Sequence, residues 1–455
     1  MNKKPRRLIG LSLSAFDDLV STGEEIHVRP ARLLPFYKPG DEMALTSIFL
    51  SGLRLIREFR HLIYQAIGLS KSTTMRFYTE VEFVYFKRLR VDGLILICRA
   101  NRIVDAVILE VKNKSVELNE GQITEYLEIA KAYGIPRLLT VSNQFVSYPT
   151  QSPVNVKSPR QVATYHLSWS YVLTVAHILL AKNNRNIEDA DQVEIMKEIV
   201  DYCESPNSGI VGFTQMKPGW TEITEKANAG TRLKLQDVAV EEAVSSWLQE
   251  ERDMALILSR KLGLLVESGQ RKFRHDLPAR VAFEKKELVA SYSLESSLQV
   301  DGAASPLQIR ACFDRKNIEM YATLAAPSDK KTRGQLSWIK NQLNVSEKKN
   351  PKLYASLKPG LFIEVNVKFA KSPLRFPLAD LDAAIDEIGT KDIKSFDVLY
   401  FMYLGRKFES RKGVVETIEK MLLDYYQGVF QYLKRWEKPV PQIPPTPGAD
   451  AGVSA

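Results

Sequence analysis

The chain has 455 residues, 45% of them hydrophobic and 26% charged, a composition that supports two or three packed domains and excludes a wholly disordered or fibrous protein. Lys and Arg (63) outnumber Asp and Glu (54), giving a formal net charge of +9, which favours a polyanionic partner. Cys98, Cys203 and Cys312 are too scattered for a disulfide framework or zinc knuckle and fit a reducing cytoplasm, and no apolar run reaches the roughly 18–20 residues that span a bilayer.

Residues 1–41 read as an N-terminal arm. The opening MNKKPRRLIGLSLSAF is basic, but its apolar stretch is short and broken by serines, so it predicts a basic arm leading into a strand rather than a cleaved signal. Residues 42–182 read as an α/β core. Met43–Leu69 carries apolar residues at helical spacing and predicts one amphipathic helix. Strands follow at Arg76–Phe86, Val91–Ala100 and Ile103–Lys114, the last two joined by a turn at Asn101–Arg102. The third of these is almost continuously apolar, as expected of a strand covered on both faces. Asn119 is placed to cap a helix that runs to Tyr133 and ends at Gly134, with Gln122 at its third position. A strand at Arg137–Phe145 and a helix at His166–Ala181 complete a mixed central sheet flanked by helices.

Residues 183–235, broken by SPNSG and KPGW, predict a linker or a peripheral helical segment. Residues 236–437 predict a separate α+β C-terminal domain: a helix from Val238 to Leu265, strands at ELVASYSL, LQIRACF, IEMYATLA and LFIEVNVKFA, a basic helix at Gln335–Leu343 and a long helix at Val414–Trp436. The Pro-rich residues 438–455 read as a disordered tail.

In IVDAVILEVK, strand alternation sets Ile108, Glu110 and Lys112 on one face and Leu109 and Val111 on the other. A carboxylate and an amine on one face of an apolar strand are costly to bury unless they serve a site. Asp92 lies on the preceding strand, and the turn at Asn101 brings it level with Glu110 in an antiparallel pair. Gln122 and Tyr126 are four apart on the following helix and share a face. Two carboxylates that can hold Mg²⁺ (or Mn²⁺), with a cation beside them, are what metal-assisted phosphodiester hydrolysis needs.

This order, D…ExK…QxxxY, resembles the PD-(D/E)xK nuclease superfamily, whose members include restriction-endonuclease-like and RecB-type proteins. The resemblance covers roughly residues 42–180, with Val91–Asp92 standing where the family has Pro-Asp. It implies a restriction-endonuclease-like fold in which Asp92 and Glu110 hold the metal, Lys112 polarises water or steadies the phosphate, and Gln122 supports the site beside Tyr126. The family's helix carries a further Glu, for which Glu58 is the best-placed match and Glu80, on the strand TEVEF, the rival. The implied activity is nuclease action on DNA or RNA, with restriction or anti-phage defence as a setting by analogy.

Five other ExK or DxK copies occur, at Glu284/Lys286, Asp314/Lys316, Asp329/Lys331, Glu347/Lys349 and Asp392/Lys394. Asp314/Lys316 is the serious decoy, because it follows an apolar strand, but no Gln-bearing helix follows promptly. Ala326–Arg375 holds eleven Lys and Arg against three acids, a local charge of +8. Lys330, Lys331, Arg333 and Lys340 are the candidate nucleic-acid contacts there, with a solvated basic face as the alternative. His166 and His177 are expected on one helix as packing or surface groups, and no histidine spacing suits zinc. Two non-enzymatic readings stay open: a silent nucleic-acid-binding module on the same fold, and a regulatory or scaffold subunit. A protein partner or homo-oligomer is compatible with either.

Overall fold

The computed structural model describes residues 5–23, 25–30, 40–69, 74–114, 116–146, 148–181, 187–273, 276–381, 384–389 and 391–438. Most of the Pro-rich segment expected to be disordered falls outside them. Contacts divide the chain into two units. The first is Met1–Asp301 with Arg310–Ile318 and Tyr403–Leu422; the second is Gly302–Ile309 with Glu319–Met402 and Leu423–Ala455.

The first unit is built on a six-stranded mixed sheet, β1 (Ile26–Pro30), β2 (Thr74–Phe83), β3 (Leu89–Arg99), β4 (Arg102–Val111), β5 (Arg137–Ser142) and β6 (Ala163–Ser168), in that spatial order. Strands β1 to β4 are antiparallel neighbours, while β4, β5 and β6 run parallel. Helices α1 (Leu13–Thr22) and α4 (Glu120–Tyr133) contribute to the core on one face, where Leu94, Leu96, Ala106 and Ile108 meet Phe16, Ile123 and Leu127. Helices α2 (Glu42–Leu55), α3 (Arg57–Ala66), α5 (Trp169–Ala181) and Ala190–Glu204 contribute to the other, against Ile95, Val107, Leu109 and Leu139. Burial on both faces explains the apolar run of β4.

The β3–β4 hairpin turns on Ala100 and Asn101, both at positive φ (47° and 60°), a two-residue connection whose twist matches the strands. Asn119 caps α4 by accepting the Gln122 N–H at 3.1 Å, and Gly134 ends it at φ 65°.

Three local expectations change. The opening segment forms helix α1, capped by Ser12, where a strand was expected; Leu13, Phe16, Leu19 and Val20 sit at helical spacing. The helix expected over Met43–Leu69 breaks at Ile56, which is extended (φ −110°, ψ 106°) and fully buried. Arg60 compensates by donating to the freed carbonyls of Leu53 and Arg54, at 2.8 and 3.1 Å. His166 belongs to β6, not to the helix that carries His177. There it is buried between Thr140 Oγ1 and the Gln144 carbonyl, each 2.8 Å away, and burial lowers its pKa to about 4.

Residues 183–235 include the helices Ala190–Glu204 and Pro218–Asn228. Val193, Met196 and Ile199 of the former enter the core. Trp220 of the latter stacks on Trp247 of the long helix Val238–Leu262, centroids 5.9 Å apart. Strands β7 (Glu267–Ser268) and β8 (Ser293–Gln299) pair antiparallel. The segment ELVASYSL divides: its first five residues end the helix Leu277–Ser291 and the rest opens β8.

The second unit holds β11 (Leu361–Val367), β12 (Leu374–Pro377) and most of β10 (Asn317–Ala325) and β13 (Ile393–Tyr403), ordered β12-β11-β13-β10, while β9 (Leu307–Cys312) is divided between the units. The basic helix is longer than expected, Thr332–Lys349.

Candidate active site

The β3–β4 register places the key carboxylates. Gly93 pairs with Leu109 and Leu94 with Ile108, so the next step of the ladder sets Asp92 opposite Glu110 on the face that α4 covers. Asp92 Oδ2 accepts the Val111 N–H at 2.7 Å, and the two carboxyls lie within hydrogen-bonding reach of each other. Lys112 sits just past the end of β4, with its N–H on the Val141 carbonyl at 2.8 Å and its own carbonyl taking the Trp169 indole N–H at 3.0 Å. Its Nζ is 2.7 Å from Glu110 Oε1. Asp92, Glu110 and Lys112 therefore converge.

Helix α4 closes the site from behind. Gln122 Nε2 donates to Tyr126 Oη at 2.7 Å, and Tyr126 Oη donates to the Arg90 carbonyl at 2.9 Å, beside Glu110. Gln122 thus fills two roles: its backbone N–H takes the helix cap while its side chain holds the tyrosine.

The helix-borne carboxylate that reaches the cluster is Glu42, not Glu58. Asp41 caps α2 by accepting the Met43 N–H at 2.9 Å, which puts Glu42 in the first turn with Oε2 3.3 Å from Lys112 Nζ. Glu58 lies in the first turn of a different helix, α3, and among the described residues no hydrogen bond or ion pair ties it to this cluster. Glu80 stands across from Asp92 on β2, at positive φ (53°), and is held by Arg90 at 2.7 Å. Glu42 was missed because an acid after an Asp cap also reads as a group that complements the helix dipole. The neighbouring loops are fixed by Asn113, whose Nδ2 donates to the Gly40 and Ser208 carbonyls at 2.9 and 2.6 Å. Gly40 has φ 78° and a Cβ there would meet the Asn207 carbonyl at 2.5 Å, so only glycine fits.

The electrostatics follow from crowding. Burial, then Glu110, pushes the Asp92 carboxyl well above the usual range, and burial also raises the Glu110 carboxyl. Burial alone would lower the Lys112 ammonium, but Glu110, Asp92 and Glu42 together outweigh it and hold it above the ordinary lysine value. Both Glu110 oxygens are shielded from solvent and accept no well-directed hydrogen bond; Lys112 is an ion-pair neighbour rather than an aligned donor.

No family profile matches the chain. No curated protein matches it in sequence either. What the site can do therefore rests on its own chemistry. Three carboxylates, Asp92, Glu110 and Glu42, surround one ammonium, a formal −2 that one divalent cation balances. Among the described residues no three His, Cys, Asp or Glu groups form a ready cage for a metal. The donors that fit are the Asp92–Glu110 pair, and Mg²⁺ commonly takes only one or two carboxylates, completing its shell with water and substrate phosphate.

The decoy residues are committed elsewhere. Lys316, at the β9–β10 turn with φ 51°, pairs with Glu409 at 2.5 Å, and Glu284 pairs with Arg280 at 2.9 Å. In the second unit, Lys330, Lys331 and Arg333 are exposed around the start of the helix Thr332–Lys349. Lys340 lies two turns along the helix and is half-buried, and Lys330 Nζ sits 4.7 Å above the Trp436 ring.

Proposed function

We infer that the first unit is a divalent-metal-dependent nuclease of the restriction-endonuclease-like type that hydrolyses phosphodiester bonds in DNA or RNA. The observation that supports this most is the buried, register-matched Asp92–Glu110 pair with Lys112 at its edge and neither Glu110 oxygen satisfied by a directed donor. Asp92 and Glu110 would hold the cation. When bound, it would supply Lewis-acid polarisation of a phosphoryl oxygen and charge neutralisation at the scissile phosphate. Lys112 presents its ammonium to the same phosphate or to the attacking water, and Glu42 limits its swing. Tyr126, fixed by Gln122 and the Arg90 carbonyl, stands beside Glu110. Restriction or defence against phage is the setting that the resemblance suggests.

The test is incubation of the full chain with linear, circular and single-stranded DNA and with RNA, in Mg²⁺, Mn²⁺ or EDTA. Cleavage of DNA or RNA that needs metal supports the reading, and cleavage that persists in EDTA refutes it. The second reading is a silent nucleic-acid-binding module on the same fold. Metal-independent binding without cleavage under every condition would select it.

A further inference from the structure

Among the described residues Arg252 is a charge without a counter-ion. It projects from the helix Val238–Leu262 and is half-buried, with its guanidinium carbon 5.4 Å from the Tyr171 ring centroid. Among the described residues no carboxylate lies within ion-pair distance of it. Glu251, next to it in sequence, is taken by Arg280 at 3.1 Å. Burial pulls the guanidinium down from its ordinary range, with Tyr171, Tyr148, Glu251 and Glu267 opposing from farther off. Contact with a tyrosine face returns less than the desolvation of an ion costs. The fold therefore leaves a deficit that an anion would close.

The position gives that deficit meaning. Strands β4, β5 and β6 are parallel, with Val111 level with Val141 and Val141 level with Leu167, so Lys112 and the Trp169–Tyr171 segment leave the sheet at one edge. The Trp169 indole bonds the Lys112 carbonyl, and Ser170 Oγ donates to Asp253 Oδ1 at 3.0 Å, fixing the residue beside Arg252 to the start of α5. Two strand spacings, about 10 Å, separate the ends of β4 and β6, a short reach along a nucleic-acid strand. Carboxyl ends of parallel strands are where open α/β sheets place their ligands.

We propose that Arg252, set over the Tyr171 ring, is a second phosphate-binding point that holds the nucleic-acid strand beside the phosphate at Asp92, Glu110 and Lys112. The planar fork takes two phosphate oxygens while its face stays on the ring. This rests on the nuclease reading and adds where the strand runs.

The experiment measures binding of a short DNA to the full chain in EDTA, where metal-dependent cleavage is off, across a salt series. Arg252→Gln should weaken binding about ten- to a hundredfold, uniformly across sequences, and flatten the slope of log affinity against log salt by about one. Arg252→Lys keeps the charge but loses the planar fork, so it should bind several-fold more weakly with the parental slope. It also serves if the glutamine variant does not fold, as checked by thermal unfolding. If Arg252→Lys binds like the parent, or folded Arg252→Gln keeps parental affinity and slope, the subsite is wrong while metal-dependent cleavage by the parent still stands. If the parent binds no DNA and cuts none with any metal, the nuclease reading falls and takes the subsite with it.

Discussion

Asp92→Asn should make the metal-free protein more stable. In the folded chain Asp92 is opposite Glu110, and one ammonium serves both carboxylates and Glu42. An asparagine fits the same space. Its Oδ1 can still accept the Val111 N–H, which Asp92 Oδ2 holds at 2.7 Å, and its amide becomes a donor to Glu110. A carboxylate–carboxylate contact thus becomes a donor–acceptor pair. Relief of such built-in frustration is worth about 1 kcal/mol, or about 2–4 °C in Tm. The pH dependence has a definite sign. Because the folded carboxyl is raised, the unfolded chain loses its proton first as pH rises, so the folded parent loses stability between the ordinary carboxylate range and its raised value. The advantage of Asp92→Asn should therefore vanish in acid and be complete only once pH exceeds that raised value. Saturating Mg²⁺ should invert the order. Cation at a hundred times its Kd stabilises the parent by about 2.7 kcal/mol, while the variant has lost a ligand. Thermal unfolding in EDTA and in excess Mg²⁺ reads both effects. A variant that melts below the parent in EDTA, or a parent whose Tm ignores both Mg²⁺ and Mn²⁺, would refute the reasoning.

Other consequences are equally direct. Lys112→Ala should retain metal binding but lose cleavage by about 10²–10³-fold, Glu110→Ala should lose both, and Lys316→Ala should cut normally because Lys316 serves Glu409; gel cleavage with metal titration separates them. Replacing Lys330, Lys331, Arg333 and Lys340 together by Ala should lower the salt slope of DNA binding by up to about one per lost contact, and an unchanged slope leaves only a solvated basic face. His166, 1% exposed, is neutral above the ordinary histidine range and resists protonation down to a pKa of about 4. Urea unfolding should accordingly show about 3 kcal/mol lost between pH 6.5 and 4, and His166→Gln should flatten that limb.

The parts of the site that were legible share a cause. Period-two alternation fixes which strand residues share a face, and the Asn101 turn fixes the register, so Asp92, Glu110 and Lys112 could be brought together from adjacent segments. Gln122 and Tyr126 follow from helical spacing. Glu42 is different: seventy residues separate it from Lys112, and nothing local distinguishes it from a dipole-complementing acid. The break at Ile56 carries no Pro or Gly to mark it, and its extended residue is stabilised by burial and by Arg60 from the next turn, both tertiary effects. His166 was drawn into a helix because WSYVLTVAHILL continues apolar without a breaker, whereas the β5 partner strand decides that ATYHLS is extended.

The edge of the site is held by amides rather than by apolar packing. Asn113 joins Gly40 to Ser208, and Asn143 Nδ2 donates to the Lys114 and Gly209 carbonyls at 3.0 and 2.8 Å while its Oδ1 accepts the Val211 N–H at 3.2 Å. Three segments far apart in sequence are thereby locked by two short side chains with few rotamers. A crowded acidic pair needs such a frame: mutual repulsion would otherwise drive Asp92 and Glu110 apart, and the cation would then have to bear the cost of reassembling them. The loop that supplies Ser208 and Gly209 lies in the polar, Gly/Pro-broken stretch after residue 182, so that stretch contributes to the geometry of the carboxylates although it holds none of them. The same frame continues to Arg252, because Phe213, two residues past Val211, donates its N–H to Asp253 at 2.6 Å. Asn113, Asn143 and Asp253 thus tie the loop 208–213 to the end of β4 at one point and to the residue beside Arg252 at another.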